Sequence, residues 1–320
     1  MTEPLGKPMR DALISMVGDL MDTNENIFFL SADMGAPSLD RIRETFTDRF
    51  INVGIAEQNM IGVAAGLALE GKVVFVYSIG NFPTLRCLEQ IRNDACYHDL
   101  NINIICMGAG FSYGALGMSH HATEDIAIMR ALPGTTVISP ATEDEAYFAT
   151  IDLATHKGVG YLRLDKSKTQ DKKRLREKFE IGKGNILKEG DDYTIISCGG
   201  ITGEALIAAY ALDKKGIDCK VVSMHTIKPL DQLLIEECVE NSKGLITLEE
   251  GNITGGMGSA VLESCLKSGS FPLKMEMLGI KDEYVSMVGS QEYLRDSVGI
   301  SKNFIIDLIL EWHKSASSDG

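Results

Sequence analysis

The chain has 320 residues, 44% hydrophobic and 24% charged, a composition that fits one or two globular cores and excludes a fibre, a coiled coil or a disordered segment. Its 45 acidic residues outnumber 31 basic ones, and the net charge of -14 repels nucleic acid and anionic membranes while leaving room for a locally basic pocket. Apolar runs such as IGVAAGLAL fall far short of the roughly 20 residues a bilayer span needs, and no signal-peptide pattern precedes Met9, so the expected location is the cytoplasm, with no membrane partner.

Apolar β-rich runs alternate with helical patterns, which predicts an α/β fold of parallel or mostly parallel sheets flanked by helices. In chain order the first half reads as a helix over PMRDALISMVGDLMD, strands NIFFLS and RFINV, a helix over GIAEQNMIGVAAGLALEG (54–71) and strand VVFVYS. A helix over FPTLRCLEQIRNDACYH, strand INIICMG, a glycine-rich loop, helix EDIAIMRAL, strand TTVIS, helix EDEAYFATIDLA and strand YLRL follow. A charged stretch from Lys166 to Lys183 interrupts the pattern and predicts a linker, placing one domain at 1–170, the linker at 171–185 and a second domain at 186–320. The second half resumes with YTIISCGG, helix GEALIAAYALDKKG, CKVVSM, a helix after Pro229, GLITLEE, helix GGMGSAVLESCLKSG, KMEMLGI and two closing helices.

Seven cysteines (Cys87, Cys96, Cys106, Cys198, Cys219, Cys238 and Cys265) lack metal-ligand spacing and read as reduced core residues, so no metal site is expected in this chain. Glu57 opens an otherwise apolar helix. There a carboxylate caps free backbone N–H groups or, because the turn follows a strand where open α/β sheets bind ligands, serves chemistry in a dry site. The loop 108–125 carries four glycines and ends at His120 and His121 ahead of a helix that Ser119 or Thr123 is placed to cap. Vicinal histidines on an extended backbone face opposite ways, so one is a candidate proton shuttle or donor and the other structural. GGMGS between a strand and a helix is not spaced as GxGxxG and reads as close packing before a nicotinamide site.

Three separated blocks, in order, carry a resemblance over nearly the whole chain: RFINVGIAEQNMIGVAAGLALEG with VVFVYSIGNF, MSHHATEDIAIMRALPGTTVISPATEDEA, and LITLEEGNITGGMGSAV. They resemble the thiamine-diphosphate-dependent transketolase family, its pyrimidine-binding domain followed by its C-terminal domain. No GDG motif of the family's diphosphate-binding domain is present, so the resemblance implies one subunit of a split transketolase. A separate N-terminal, diphosphate-binding partner would then hold Mg²⁺ or Ca²⁺, in an expected α2β2 assembly. By resemblance Glu57 bonds the cofactor's aminopyrimidine N1′ and favours its imino tautomer, Phe82 packs on that ring and Asp33 of LSADMG lies beside the cofactor. His120 matches the histidine that contacts the donor, and His121 a second one in the synthase branch. Arg10 matches a sugar-phosphate contact, as does Lys166, which replaces an arginine and its two-pronged grip.

The implied reaction is transfer of a two-carbon ketol unit from a ketose to an aldehyde. Leu116 stands where transketolases often carry an acid, and GAG replaces a histidine or arginine, so the expected sugar substrate is atypical. The competing readings are a deoxyxylulose-phosphate-type decarboxylating ligase, a 2-oxo-acid dehydrogenase β subunit, and a noncatalytic scaffold or regulatory homologue.

Overall fold

The computed structural model describes residues 8–166 and 179–318, without side chains for 316–318; residues 167–178 of the expected linker region lie outside the described residues. In chain order the first half contains α1 (Met9–Thr23), β1 (Ile27–Ser31), α2 (Asp40–Thr45), β2 (Phe50–Asn52), α3 (Glu57–Leu69) and β3 (Val73–Ile79). After these come α4 (Leu88–Gln90), β4 (Ile102–Met107), α5 (Asp125–Ala131), β5 (Thr135–Ile138), α6 (Glu143–Thr155) and β6 (Val159–Leu164). The second half contains β7 (Asn185–Lys188), β8 (Tyr193–Ser197), α7 (Thr202–Asp213), β9 (Cys219–Ser223), β10 (Thr226–Lys228) and α8 (Gln232–Glu240). It closes with β11 (Leu245–Asn252), α9 (Met257–Ser268), β12 (Met275–Ile280), α10 (Gln291–Ser297) and α11 (Lys302–Ser318).

Two mostly parallel sheets form, as the alternation predicts. One runs β10-β5-β6-β4-β3-β1-β2 and the other β12-β11-β8-β9-β7. Every residue of β4 and β6 is buried, which is why INIICM and VGYLRL read as continuous apolar runs and not as alternating ones. The antiparallel edges, β10 on the first sheet and β7 on the second, were not expected. They are three and four residues long, and only partners distant in sequence define them. β10 comes from the second half yet completes the first sheet beside β5. The helix expected over residues 82–98 is also different. It breaks into a 3-10 turn, α4 and a π-helical segment Ile91–Cys96, so its residues follow no single helical face.

Buried charges tie the two sheets together. Arg163 on β6 is 1% exposed and donates Nε to Asp125 Oδ2 at 2.7 Å and Nη2 to the carbonyls of Ala122 (2.7 Å) and Glu250 (2.9 Å). Asp125 also accepts the Tyr161 hydroxyl at 2.5 Å. On the far side of this junction Arg295 donates to Glu250 and, at 3.3 Å, to Asp165, while Glu250 accepts Phe111 N–H at 2.5 Å and Gln291 Nε2 at 2.9 Å. Gly110 makes that approach possible: at φ 55° it suits a residue without Cβ, and a Cβ there would lie 2.4 Å from Glu250 Oε1.

A fourth carboxylate, Glu145 on α6, is fully buried between the halves and accepts Ala141 N–H (2.7 Å), Asn185 Nδ2 (3.0 Å) and Ser223 Oγ (3.0 Å). Burial outweighs these hydrogen bonds and pushes its carboxyl up to about 7. All seven cysteines are free thiols, six of them buried, in line with their reading as core residues.

Candidate active site

Five strand ends of the first sheet deliver the residues singled out above. Asp33 follows β1, the turn to Glu57 follows β2, Phe82 follows β3, the loop to His120 and His121 follows β4, and Lys166 follows β6. Arg10 joins them from the first turn of α1. The carboxyl edge of an open α/β sheet collects such residues because every crossover chain must leave the sheet there.

Glu57 is the first residue of α3 and is 2% exposed. It makes no capping bond; its Oε2 instead accepts Arg86 Nη1 at 2.8 Å, and the Arg86 guanidinium carbon lies 4.6 Å from the Phe82 ring centroid. The capping alternative is thereby corrected: Glu57 points at a side-chain partner across the site. Phe82 meets His120 edge to face at 5.4 Å, and His120 meets Tyr113 at 6.4 Å. Lys166 Nζ stands over the Tyr113 ring, 3.6 Å from its centroid. A continuous row results: Glu57, Arg86, Phe82, His120, Tyr113, Lys166.

Arg10 lies at the far end of that row. Its carboxylate partner is Asp11 at 2.9 Å, and its charge acts on the hydroxyls of Tyr77 and Tyr113. Burial, and then the nearby Arg10 charge, hold the Lys166 ammonium below its ordinary value. Asp11 keeps the Arg10 guanidinium charged, so the like-charge cost falls on Lys166 and is relieved when an anion joins the pair.

The vicinal histidines part as expected, and the structure shows how. His120 is half-buried and turns to Phe82 and Tyr113, its Nδ1 3.1 Å from Ser119 Oγ. His121 is 3% exposed, packs edge-on against Phe111 at 5.1 Å, and has no hydrogen-bond partner at either ring nitrogen among the described residues. Burial holds its pKa below the ordinary imidazole value, with the Gly114 backbone and Glu124 opposing. It lines a cavity of about 290 Å³ with Asn81, Leu85, Met118, Ser119, Thr123 and Glu124 from the first half and Tyr284 and Val285 from the second. Neither Ser119 nor Thr123 caps the following helix. Thr123 donates to the Glu124 carboxylate at 2.9 Å, and α5 begins without a side-chain cap.

Asp33 is brought to the rim and not to the row. Its backbone is left-handed (φ 55°), its N–H donates to Asn52 Oδ1 at 3.0 Å, and Asn52 Nδ2 returns a bond to Asp33 Oδ1 at 3.1 Å. Asn52 Oδ1 also accepts Gly54 N–H at 3.0 Å, so Asp33 braces the turn that delivers Glu57. Sequence reasoning passed over Arg86, Tyr113 and Asn52. Only Arg86 carried a signal, a cation four residues after an aromatic. The GGMGS turn is closed to an anion: Glu249 accepts Met257 N–H and Gly258 N–H, each at 2.8 Å, at the start of α9.

Residues 6–172 match the family model of the transketolase pyrimidine-binding domain, and residues 182–305 that of the transketolase C-terminal domain. The chain belongs to the transketolase family. It is 38% identical to a putative transketolase C-terminal section of Methanocaldococcus jannaschii over 95% of this chain and 96% of that protein. It is 33% identical to a 6-deoxy-6-sulfo-D-fructose transketolase subunit of a Clostridium species, over 93% and 92%. A solved split-gene transketolase, an inactive beta4 tetramer, superposes with a TM-score of 0.83 at 34% identity, covering 95% of this chain and 97% of that one. These relatives make the chain a transferase subunit of a split transketolase that works with a separate partner, and thiamine diphosphate is the cofactor the family implies.

Proposed function

We propose that this subunit, in an α2β2 assembly with an N-terminal diphosphate-binding partner, moves a two-carbon ketol unit from a ketose with an anionic end group to an aldehyde acceptor. The observation that carries the reading is the buried Glu57 carboxylate facing the Phe82 ring across a gap that a flat N–H-bearing group fills. The Arg86 guanidinium is such a group, at 2.8 Å from Glu57 and 4.6 Å from the Phe82 centroid, so the residues fit an aminopyrimidine that carries the shared proton at N1′. When bound, thiamine diphosphate supplies the carbanion that takes up the two-carbon unit.

Glu57 holds the hydrogen bond at pyrimidine N1′, Phe82 supports the ring face, and Asp33 keeps the intervening turn in place. His120, with Nδ1 directed to Ser119, leaves Nε2 for the sugar hydroxyl or carbonyl and moves its proton. Arg10 and Lys166 draw the anionic terminus to the far end of the row. His121 forms part of the cavity wall against which the sugar would lie. Met118 in this wall, and Leu116 two residues before it in the same loop, are both more than half exposed and give the loop an apolar character that supports an atypical sugar. Mg²⁺ or Ca²⁺ is assigned to the partner subunit, and the assembly to the cytoplasm.

The test is turnover of the complex reassembled with its native partner, screened over ketose donors and aldehyde acceptors. Ketol transfer is expected, with Glu57→Gln lowering kcat by about 10²- to 10⁴-fold. Efficient turnover of xylulose 5-phosphate with ribose 5-phosphate would overturn the atypical sugar. Release of CO₂ from pyruvate would move the chain to the decarboxylating ligases, and unchanged turnover of Glu57→Gln would remove the proton role.

A further inference from the structure

We infer that Arg86 is a place-holder for the cofactor: in the free subunit its guanidinium fills the space of the aminopyrimidine, keeps Glu57 partnered, and must be displaced for the cofactor to enter. The inference rests on Glu57 and Phe82 being the pyrimidine contacts.

Both contacts of that expected ring are already made by one side chain. Arg86 donates an in-plane N–H to Glu57 and lays its flat cation over the Phe82 face, the pairing of edge hydrogen bond and face contact that an aminopyrimidine protonated at N1′ would make. A guanidinium suits this mimicry because its donors lie in the plane of a delocalised π-system, which an ammonium cannot reproduce.

The two partners are unequally placed. The Glu57 side chain is 3% exposed, whereas that of Arg86 is 46% exposed. A buried carboxylate left alone is costly, so Glu57 needs a partner whenever the cofactor is away. Arg86 is held from the water side and costs little to release, because a half-exposed cation regains hydration as it swings out.

The backbone favours the exchange. Phe82 N–H bonds Ile79 O at 2.9 Å, Arg86 N–H bonds Asn81 O at 3.3 Å, and Cys87 Sγ reaches Phe82 O at 3.2 Å, so the turn carrying both side chains is closed on itself. Entry of a ligand requires only side-chain torsions of Arg86, on the picosecond-to-nanosecond scale of exposed rotamers. Glu57 passes from the guanidinium N–H to the N1′–H of the protonated pyrimidine without being stranded. A purely structural counter-ion would be needed equally with and without ligand, and that difference is measurable.

The probe is 4-amino-5-hydroxymethyl-2-methylpyrimidine, which has the pyrimidine edge and face without the diphosphate, titrated by calorimetry into the full chain. Arg86→Met, which keeps an apolar stem for Phe82 and removes the donor, is expected to bind about tenfold tighter than the natural chain. Glu57→Gln added to Arg86→Met should erase that gain. In the natural chain, the ¹⁵N guanidinium resonance of Arg86 should shift to that of a solvated arginine as the probe saturates. Binding to Arg86→Met that is equal or weaker, or a guanidinium resonance unmoved at saturation, overturns the place-holder and leaves the Glu57–Phe82 pocket intact. Failure of every chain to bind the probe overturns the pocket and the place-holder together. The resonance measurement needs no variant, so it decides the matter even if Arg86→Met does not fold.

Discussion

The junction between the two sheets and the row from Glu57 to Lys166 are both built from charged and aromatic side chains at strand ends. They handle charge differently. At the junction Arg163, Asp125, Glu250 and Arg295 are each at least nine-tenths buried and bond to fixed groups of the same chain, although Asp125 Oδ1 has no partner among the described residues. Along the row, a buried carboxylate meets a half-exposed arginine and a lysine stands over an aromatic face, while beside it His121 has no partner for either ring nitrogen among the described residues. Charges satisfied from within hold a geometry; charges satisfied provisionally are available to a ligand. The junction is the frame that keeps the row in register, since Asp165 belongs to the junction and Lys166, its neighbour in the chain, to the row.

Three perturbations test that contrast. The largest effect is expected from Arg163→Met, which strands Asp125 in the interior: unfolding stability in denaturant should fall by about 3–5 kcal/mol. A loss below about 1 kcal/mol would put the junction on the footing of surface pairs and dissolve the distinction.

Next is Glu145→Gln. Because the folded chain keeps the Glu145 proton up to about pH 7, whereas an unfolded glutamate loses it near 4.5, the folded state binds more protons between those values. Stability from this group is present in full below about 4.5, falls as pH rises toward 7, and is level beyond. Glutamine, shaped like the protonated acid, removes the slope. The variant should therefore gain up to about 3 kcal/mol relative to the natural chain between pH 4.5 and 7.5, read from unfolding curves across that range. A pH-independent difference would mean that Glu145 is ionised throughout.

The smallest effect is expected at the row. In the assembled enzyme Lys166→Met should raise KM for an anionic donor about tenfold with kcat nearly kept, as loss of uniform binding does. Equal effects on anionic and neutral ketoses would mean that Lys166 does not read charge.

Much of this was legible in the chain itself. The alternation of strands and helices is written in local periodicity, and the three blocks placed Glu57, Phe82 and His120 together, where the structure also has them. The unexpected parts are those fixed by space. β7 and β10 are too short to show a period, and their partners lie 33 to 91 residues away. Arg86 matters because a turn brings it onto Phe82 and Glu57, although in sequence it is one more cation among neighbours. Which of two adjacent histidines goes inward depends on Phe111, which the β4 loop folds against His121.

β10 has a practical consequence. Because a strand from beyond residue 225 closes the outer side of β5, a fragment ending after β6 would carry an uncovered sheet edge, a ready seat for another chain. The two halves therefore cannot be parcelled out as independent modules. Expressed alone, the first is expected to self-associate, and heating the whole should melt both in one cooperative step.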